Sequence, residues 1–377
     1  MVKIIEVKTK KQQKAFTMFP LKLYKNCEYY VPPFLCDERV IFDKEKNANL
    51  DRSEVVFFLA YNEKDEVVGR IGGILHHTAN EINNQKYLRF TRVDFIEDFE
   101  VAKALFEAVE NWAKEKGMEY VHGPLGFNDF EREGLLVEGF DQLATFVENY
   151  NYPYYKDYIE KLGYTKDVDW LEYKVYVPDS VDPRISKIAK MAEEKYHLHE
   201  ISIKNKSKII EKYKNEIFGL LDECYGSLYG FVPITKKLQE QLVGTFKLVV
   251  NKRYLCLVAN EKEELVGLGL LFPEIAKGMR KARGKIVTPK VVSLLKELTH
   301  PKVVDMVFFA VKPNYRTKGV TSFIFNKILN NLIEDKVEYA ESTLQLETNI
   351  RIQNQFDAYE REQHKRRRCY IKKIKED

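Results

Sequence analysis

Residues 303–329 read VVDMVFFAVKPNYRTKGVTSFIFNKIL. Val303 to Val311 is a β-branched and aromatic run with one Asp, the pattern of a strand covered on both faces. Pro313 and Asn314 end it. From Thr321 onward Phe323, Ile324, Ile328 and Leu332 recur three to four apart, while Asn326, Lys327 and Asn330 fall on the other side. The spacing therefore predicts an amphipathic helix beginning near Lys318 to Val320. Its first turn leaves backbone N–H groups without intrahelical partners and carries the positive end of the helix dipole. Gly319 would let a ligand approach the backbone, and Arg316 and Lys318 add full positive charge, so a phosphate is the expected occupant.

The chain has 377 residues, enough for two domains of ordinary size, and its 45% hydrophobic and 13% aromatic content can fill two cores. Sixty-one Lys and Arg against 57 Asp and Glu leave a net charge of +4, too small an excess to argue for nucleic acid. Five scattered cysteines with no C-x-x-C pair fit a reduced, cytoplasmic protein. No segment is apolar over a membrane-spanning length, and none at the N-terminus reads as a signal peptide. His76-His77 and His197-x-His199 lack a third ligand at recognisable spacing, so no metal site is expected.

The second half of the chain repeats the first. A polar turn between two apolar strands appears as Ala60-Tyr-Asn-Glu-Lys-Asp-Glu-Val-Val-Gly69 and again as Val258-Ala-Asn-Glu-Lys-Glu-Glu-Leu-Val-Gly267. Leu105 to Tyr120 and Ile324 to Tyr339 superpose without a gap, both ending in Glu-Tyr before a strand. Internal duplication is the simplest account. The expected architecture is α/β with a mixed sheet, in two tandem domains: 1–178, a connecting helix over 179–196, and 197–377.

The R-x-x-G-V-T segment from Arg316 to Thr321 resembles the pyrophosphate-binding turn of the GNAT acyl-CoA N-acyltransferases, usually Q/R-x-x-G-x-G/A; Thr321 departs from it. Tyr158-Ile-Glu-Lys-Leu-Gly-Tyr164 resembles that family's Y-E-K-L-G-F helix end, and Glu347-Thr-Asn-Ile-Arg351 with Ala358-Tyr359-Glu360 resembles its strand exit and following helix. Tyr30-Val-Pro-Pro33, Gly123-Pro124, Gly134-Leu-Leu-Val-Glu-Gly-Phe140 and Gly230-Phe-Val-Pro-Ile-Thr235 resemble uncharacterised bacterial tandem GNAT-like proteins. The resemblance implies an acetyl-CoA or other acyl-CoA cofactor, held by Phe309, Ala310, Val311, Arg316, Thr317, Lys318, Gly319, Val320, Thr321 and Asn349. It implies direct attack of an amine on the thioester, with N–H groups near Phe309 to Val311 polarising the carbonyl and Tyr359 protonating the departing thiolate.

Glu341 or Glu347 is nominated to activate the amine; strand alternation sends both to one face and leaves the choice open. The loop Gly123–Gly134 ends a strand and offers Asn128, Asp129, Glu131 and Glu133 to a cationic or polyhydroxyl substrate, although clustered loop acids are commonly just solvated. In the first copy Glu97, Asp98, Phe99 and Glu100 stand where the second has Arg316, Thr317, Lys318 and Gly319. Three carboxylates there would repel a pyrophosphate, so only the second copy is expected to bind the cofactor. The basic runs, Lys277 to Lys285 and Lys365 to Arg368, read as a loop and an edge strand kept soluble.

The expected activity is acyl transfer, most simply acetyl transfer, to a small-molecule or peptide amine by a monomer or homodimer. Two alternatives stand beside it: a CoA-independent aminoacyl transferase resembling the Fem-type enzymes, and a catalytically silent ligand-binding or regulatory protein of the same fold.

Overall fold

The computed structural model describes residues 2–285 and 291–374. The first half contains β1 (Lys3–Glu6), α1 (Lys10–Leu23), α2 (Leu35–Val40), β2 (Ser53–Tyr61), β3 (Val67–His76), α3 (His77–Ile82), β4 (Tyr87–Phe95), α4 (Phe99–Glu115), β5 (Tyr120–Gly123), β6 (Leu135–Glu138), α5 (Tyr154–Lys161) and β7 (Thr165–Tyr176). Helix α6 (Pro183–Tyr196) leads to β8 (His199–Glu200), α7 (Lys206–Tyr225), α8 (Lys236–Val249), β9 (Leu255–Ala259), β10 (Leu265–Pro273), α9 (Ala276–Ala282) and α10 (Val291–Thr299). The chain closes with β11 (Val303–Val311), α11 (Val320–Glu334), β12 (Tyr339–Ser342), β13 (Gln345–Leu346), α12 (Ile350–Gln353) and β14 (Arg361–Lys373).

The duplication is visible down to single hydrogen bonds. At the β2–β3 turn Asn62 Oδ1 accepts from the N–H groups of Lys64 and Glu66, and its amide donates to Glu66. Asn260 repeats each of these bonds with Lys262 and Glu264 at the β9–β10 turn. The left-handed residue of each turn also corresponds, Asp65 at φ 56° and Glu263 at φ 59°.

All the main strands form one sheet in the order β1-β2-β3-β4-β5-β14-β7-β12-β11-β10-β9-β8. The order is symmetric about its middle: each half contributes five strands whose innermost pair, β4–β5 or β11–β12, is parallel. The two central strands are exchanged. β14, from the end of the chain, lies against β5, and β7, from the end of the first half, lies against β12.

This exchange overturns the reading of Lys365 to Arg368 as a solvated edge. β14 is a central strand, and its two-residue alternation turns Lys365 (1% exposed) and Arg367 (0%) into the interior. Buried charge of this kind is tolerated only when paired, and β7 supplies the partners, as described below. The helix expected at Ala358 to Glu360 is also corrected: α12 and a short 3-10 turn, Asn354–Phe356, precede it, and residues 358–360 form the bend into β14.

Helix α4 buries Val101, Leu105, Phe106 and Val109 against the first half's sheet, and α11 buries Val320, Ile324, Ile328 and Leu332 against the second's. Of the stripe that the sequence period predicts for α11, Ile324, Ile328 and Leu332 are buried and Phe323 is half-buried. Helix α6 lies across α11, and α7 and α8 cover the opposite face of the second half. No helix among the described residues is long and apolar enough to cross a membrane.

Candidate active site

β11 and β12 pair from Val303 opposite Tyr339 to Met306 opposite Ser342, and there β12 ends. β11 continues to Val311, with a register shift against β10 that leaves Val307 outside the pairing. One edge of β11 is therefore released beyond Met306. Lys312 N–H bonds to Val266 on β10, so alternation turns the N–H groups of Phe309 and Val311 to the released edge and that of Ala310 away from it. The Tyr225 hydroxyl, at the end of α7, sits on this edge: it accepts from Phe309 N–H and donates to Phe309 C=O, each at 3.2 Å. Cys224 Sγ donates to Val311 C=O at 3.3 Å.

The first intrahelical bond of α11 runs from Phe323 N–H to Gly319 C=O, which leaves the N–H groups of Val320, Thr321 and Ser322 directed out of the helix end. Gly319 is left-handed (φ 78°) and supplies no side-chain cap. The first copy contrasts with this. Asp98 caps α4 with its own carboxylate, accepting from Glu100 N–H at 2.9 Å, so that helix end is already satisfied by an acid.

Gly319 and Lys318 serve a purpose the sequence did not reveal. A Cβ at Gly319 would lie 2.9 Å from Ala192 Cβ and 3.1 Å from Ile188 Cγ2, so the close approach it permits is to α6. The Lys318 ammonium rests over the rings of Tyr315 (4.2 Å) and Tyr196 (5.6 Å) on the same side. Arg316 is exposed, and it and Thr321 line the opening of a cleft of about 1020 Å³.

The cleft runs from the end of α11 along the released edge of β11 into the first half. Phe309, Val311, Ile324 and Asn349 form its wall beside the turn, and Phe130, Phe146, Leu242, Phe246, Phe272 and Phe308 line its body. The loop residues Asn128, Asp129, Glu131 and Glu133 line its far part. The Phe130 ring lies 5.4 Å from that of Phe308, so this loop reaches the released edge of β11.

The four loop residues differ in their surroundings. Asn128 is held by Asn49 and caps Phe130 N–H, and Glu131 pairs with Arg92 at 3.2 Å. Asp129 is open to the cleft yet enclosed by protein, and this desolvation pushes its carboxyl up to about 7. Glu133 is 5% exposed with one oxygen unbonded among the described residues; burial, and then Asp129, raise it well above the carboxylate range.

A dense ionic network lies where the two halves meet. Lys365 binds Glu341, Glu172 (3.1 Å) and Glu148 (3.5 Å), and Arg367 binds Glu172 (2.5 Å) and Glu148 (3.3 Å). Burial alone would raise the Glu341 carboxyl, but Lys365 and His364 hold it below its ordinary value, which weakens it as a base. Glu347 is separated from it because the strand breaks after Ser342; it pairs with Lys166 and Arg366 instead. Strand alternation does not carry across that break.

The structure thus gathers Phe309, Val311, Arg316, Thr321, Asn349 and the four loop residues around one cleft. Ala310 and Val320 are buried in the core and Thr317 is exposed, none of them on its wall. Tyr359 is absent from the wall as well: its hydroxyl is buried without a hydrogen-bond partner among the described residues, and its ring stacks on Phe325 at 6.4 Å. Tyr225 and Cys224 were missed because α7 carries no motif; only its packing brings its last turn to β11.

Comparison with known proteins agrees with this architecture. No protein-family model matches the chain. The Escherichia coli protein YghO is 26% identical over 97% of this chain and 94% of its own length. A Caulobacter vibrioides protein named bacterial ceramide synthase is 24% identical over 75% of this chain and 73% of its own. Among solved structures, a tandem GNAT protein from the clavulanic acid biosynthesis pathway superposes with a TM-score of 0.56 at 10% identity, covering all of both chains. A GCN5-related N-acetyltransferase from Sphaerobacter thermophilus does so at 0.50 and 9% identity, over 99% of this chain and 96% of that one. The fold is the tandem GNAT fold.

Proposed function

We propose that the protein is an acyl-CoA-dependent N-acyltransferase whose second half binds the cofactor. The contrast between the two helix ends carries this reading: α11 opens uncapped N–H groups beside Arg316 at the opening of the cleft, whereas α4 is closed by Asp98. The intact turn argues against an aminoacyl transferase with no use for a pyrophosphate. When bound, the cofactor supplies the acyl thioester, and the residues of the chain do the rest. Arg316 and the end of α11 would hold the diphosphate, and the Val311 N–H, on the released edge and not taken up by Tyr225, would polarise the carbonyl.

Of the two tyrosines, Tyr225 is the one placed on the released edge of β11. Burial pushes its hydroxyl up to about 12, so it stays protonated and would stabilise the departing thiolate by donating a hydrogen bond to it, while the proton released by the amine is the one that finally restores the thiol. The raised Asp129–Glu133 pair is suited to take the proton of the amine, in preference to the ion-paired Glu341 and Glu347. The acyl chain we assign is long. The cleft of about 1020 Å³ must also take part of the cofactor and the acceptor, so the assignment rests on its phenylalanine-lined body, apolar enough for an alkyl chain, and the relative named ceramide synthase points the same way.

Thermal stability with a series of acyl-CoAs tests the proposal. A ligand at a hundred times its dissociation constant stabilises by about 2.7 kcal/mol. Each methylene buried adds about 0.8 kcal/mol, so the shift should grow from acetyl-CoA to palmitoyl-CoA. Arg316→Glu should remove the shift while leaving the unliganded melting temperature unchanged, because Arg316 is exposed. With a primary-amine acceptor, Tyr225→Phe should lower kcat and Tyr359→Phe should not. No shift with any acyl-CoA would overturn the assignment.

A further inference from the structure

Among the described residues, three groups of side chains each bring three potential ligand atoms within 4.8 Å of one another: His122, Asp167 and Cys369; Glu172, Glu341 and His364; and Glu274, Asp305 and Glu341. In the first, the Tyr229 hydroxyl already lies among the donors, 2.5 Å from Asp167, 3.2 Å from His122 Nδ1 and 3.3 Å from Cys369 Sγ. In the second, the Lys365 ammonium does so, bound to Glu341 and Glu172. In the third, Lys365 reaches only Glu341 and Ala276 N–H donates to Glu274, and no such group reaches Asp305. Asp305 is 1% exposed, and neither of its oxygens has a hydrogen-bond partner among the described residues.

Charge leads to the same trio. Glu148 and Glu172 are matched by Lys365 and Arg367, and Glu341 shares Lys365. Neither Glu274 nor Asp305 has a cationic partner among the described residues. Asp305, buried beside Glu341 and the half-buried Glu274 and without a hydrogen bond of its own among the described residues, is costly unless something positive joins the group.

We propose that Glu274, Asp305 and Glu341 bind a divalent cation of the oxygen-seeking kind, Mg²⁺ or Mn²⁺. Carboxylates are the donors such ions take, and three of them converging in a tight interior space suit a small octahedral ion completed by water better than Ca²⁺ with its larger shell. Glu274 is half-buried and leaves the group a way to solvent. The three ligands come from the residue that follows β10, from β11 and from β12, with Asp305 and Glu341 directly opposite in the last rung but one before β11 and β12 part. The ion would fix the root of the released edge on which Tyr225 rests.

The full chain, freed of metal with EDTA, can be titrated with MnCl₂ and followed by electron paramagnetic resonance and by melting temperature. One Mn²⁺ per chain and a higher melting temperature are expected. Mg²⁺ should displace the Mn²⁺. Asp305→Asn and Glu274→Gln should each weaken binding by about tenfold or more. Asp305→Asn, which relieves repulsion, should be no less stable than the metal-free parent; should it fail to fold, the half-exposed Glu274→Gln carries the test. Glu211→Gln, at the surface, should bind as the parent does. Failure of the parent to bind Mn²⁺ at millimolar concentration, or unchanged binding in the folded variants, would overturn the proposal, since the carboxylates would then be neutralised by protons alone. Neither result depends on transferase activity.

Discussion

Asp129 shows how one side chain can be read from its surroundings and not from its type. Its carboxyl is raised from 3.8 to about 7 by desolvation within the cleft. The folded state therefore holds a proton that the unfolded chain gives up, and this contribution is full below about pH 4 and lost as pH rises through about 7. The melting temperature of Asp129→Asn, measured from pH 4 to 8, should fall less with rising pH than that of the parent. The sequence placed Asp129 on a loop with three other polar residues but gave no way to rank them, because desolvation depends on what the rest of the chain places overhead.

Among the elements, β14 changes the reading most. Its residues REQHKRRRCYIKK carry too much charge for a period-based reading to identify a central strand. The opposing strand explains them: Lys365 faces Glu172 across the β14–β7 ladder, and Arg368 faces Asp169. Lys365→Met should cost about 3–5 kcal/mol in urea unfolding, since it leaves the buried Glu341 without its ammonium and Glu172 and Glu148 with Arg367 alone. Helix α6 makes a similar point from the other side. Gly319→Ala should lower stability by about 1–3 kcal/mol, because the added Cβ meets Ala192 and the left-handed backbone resists it. A melting curve with and without acyl-CoA separates that loss from any loss of binding.

In the whole molecule the exchange of β7 and β14 makes the two halves interdependent. Either half expressed alone would lack the strand that fills the middle of its sheet, leaving long edges unpaired. Residues 1–178 and 197–377, our proposed division, should therefore be insoluble or aggregated when made separately, and should form a folded complex when made together, as judged by size-exclusion chromatography and circular dichroism. Two monodisperse, independently folded halves would count against the interlocked sheet as the source of stability.

Much of this protein is local in origin and so was legible. The strand–turn–helix at Val303 to Leu329, the paired hairpins, the helical stripes and the contrast between Arg316 and Glu97 each depend on neighbours a few residues away, where period, turn chemistry and charge act directly. The duplication followed from comparing the chain with itself. What the tertiary structure alone decided lies at long range in sequence: that Gly319 faces α6, that Tyr225 and not Tyr359 meets the released edge of β11, that Glu341 is bound by Lys365, and that a charged tail becomes the centre of the sheet. The physical reason is common to all four. Burial, and the energy of charges and hydrogen bonds within it, is set by which distant segments pack together, and no local pattern in the chain records that.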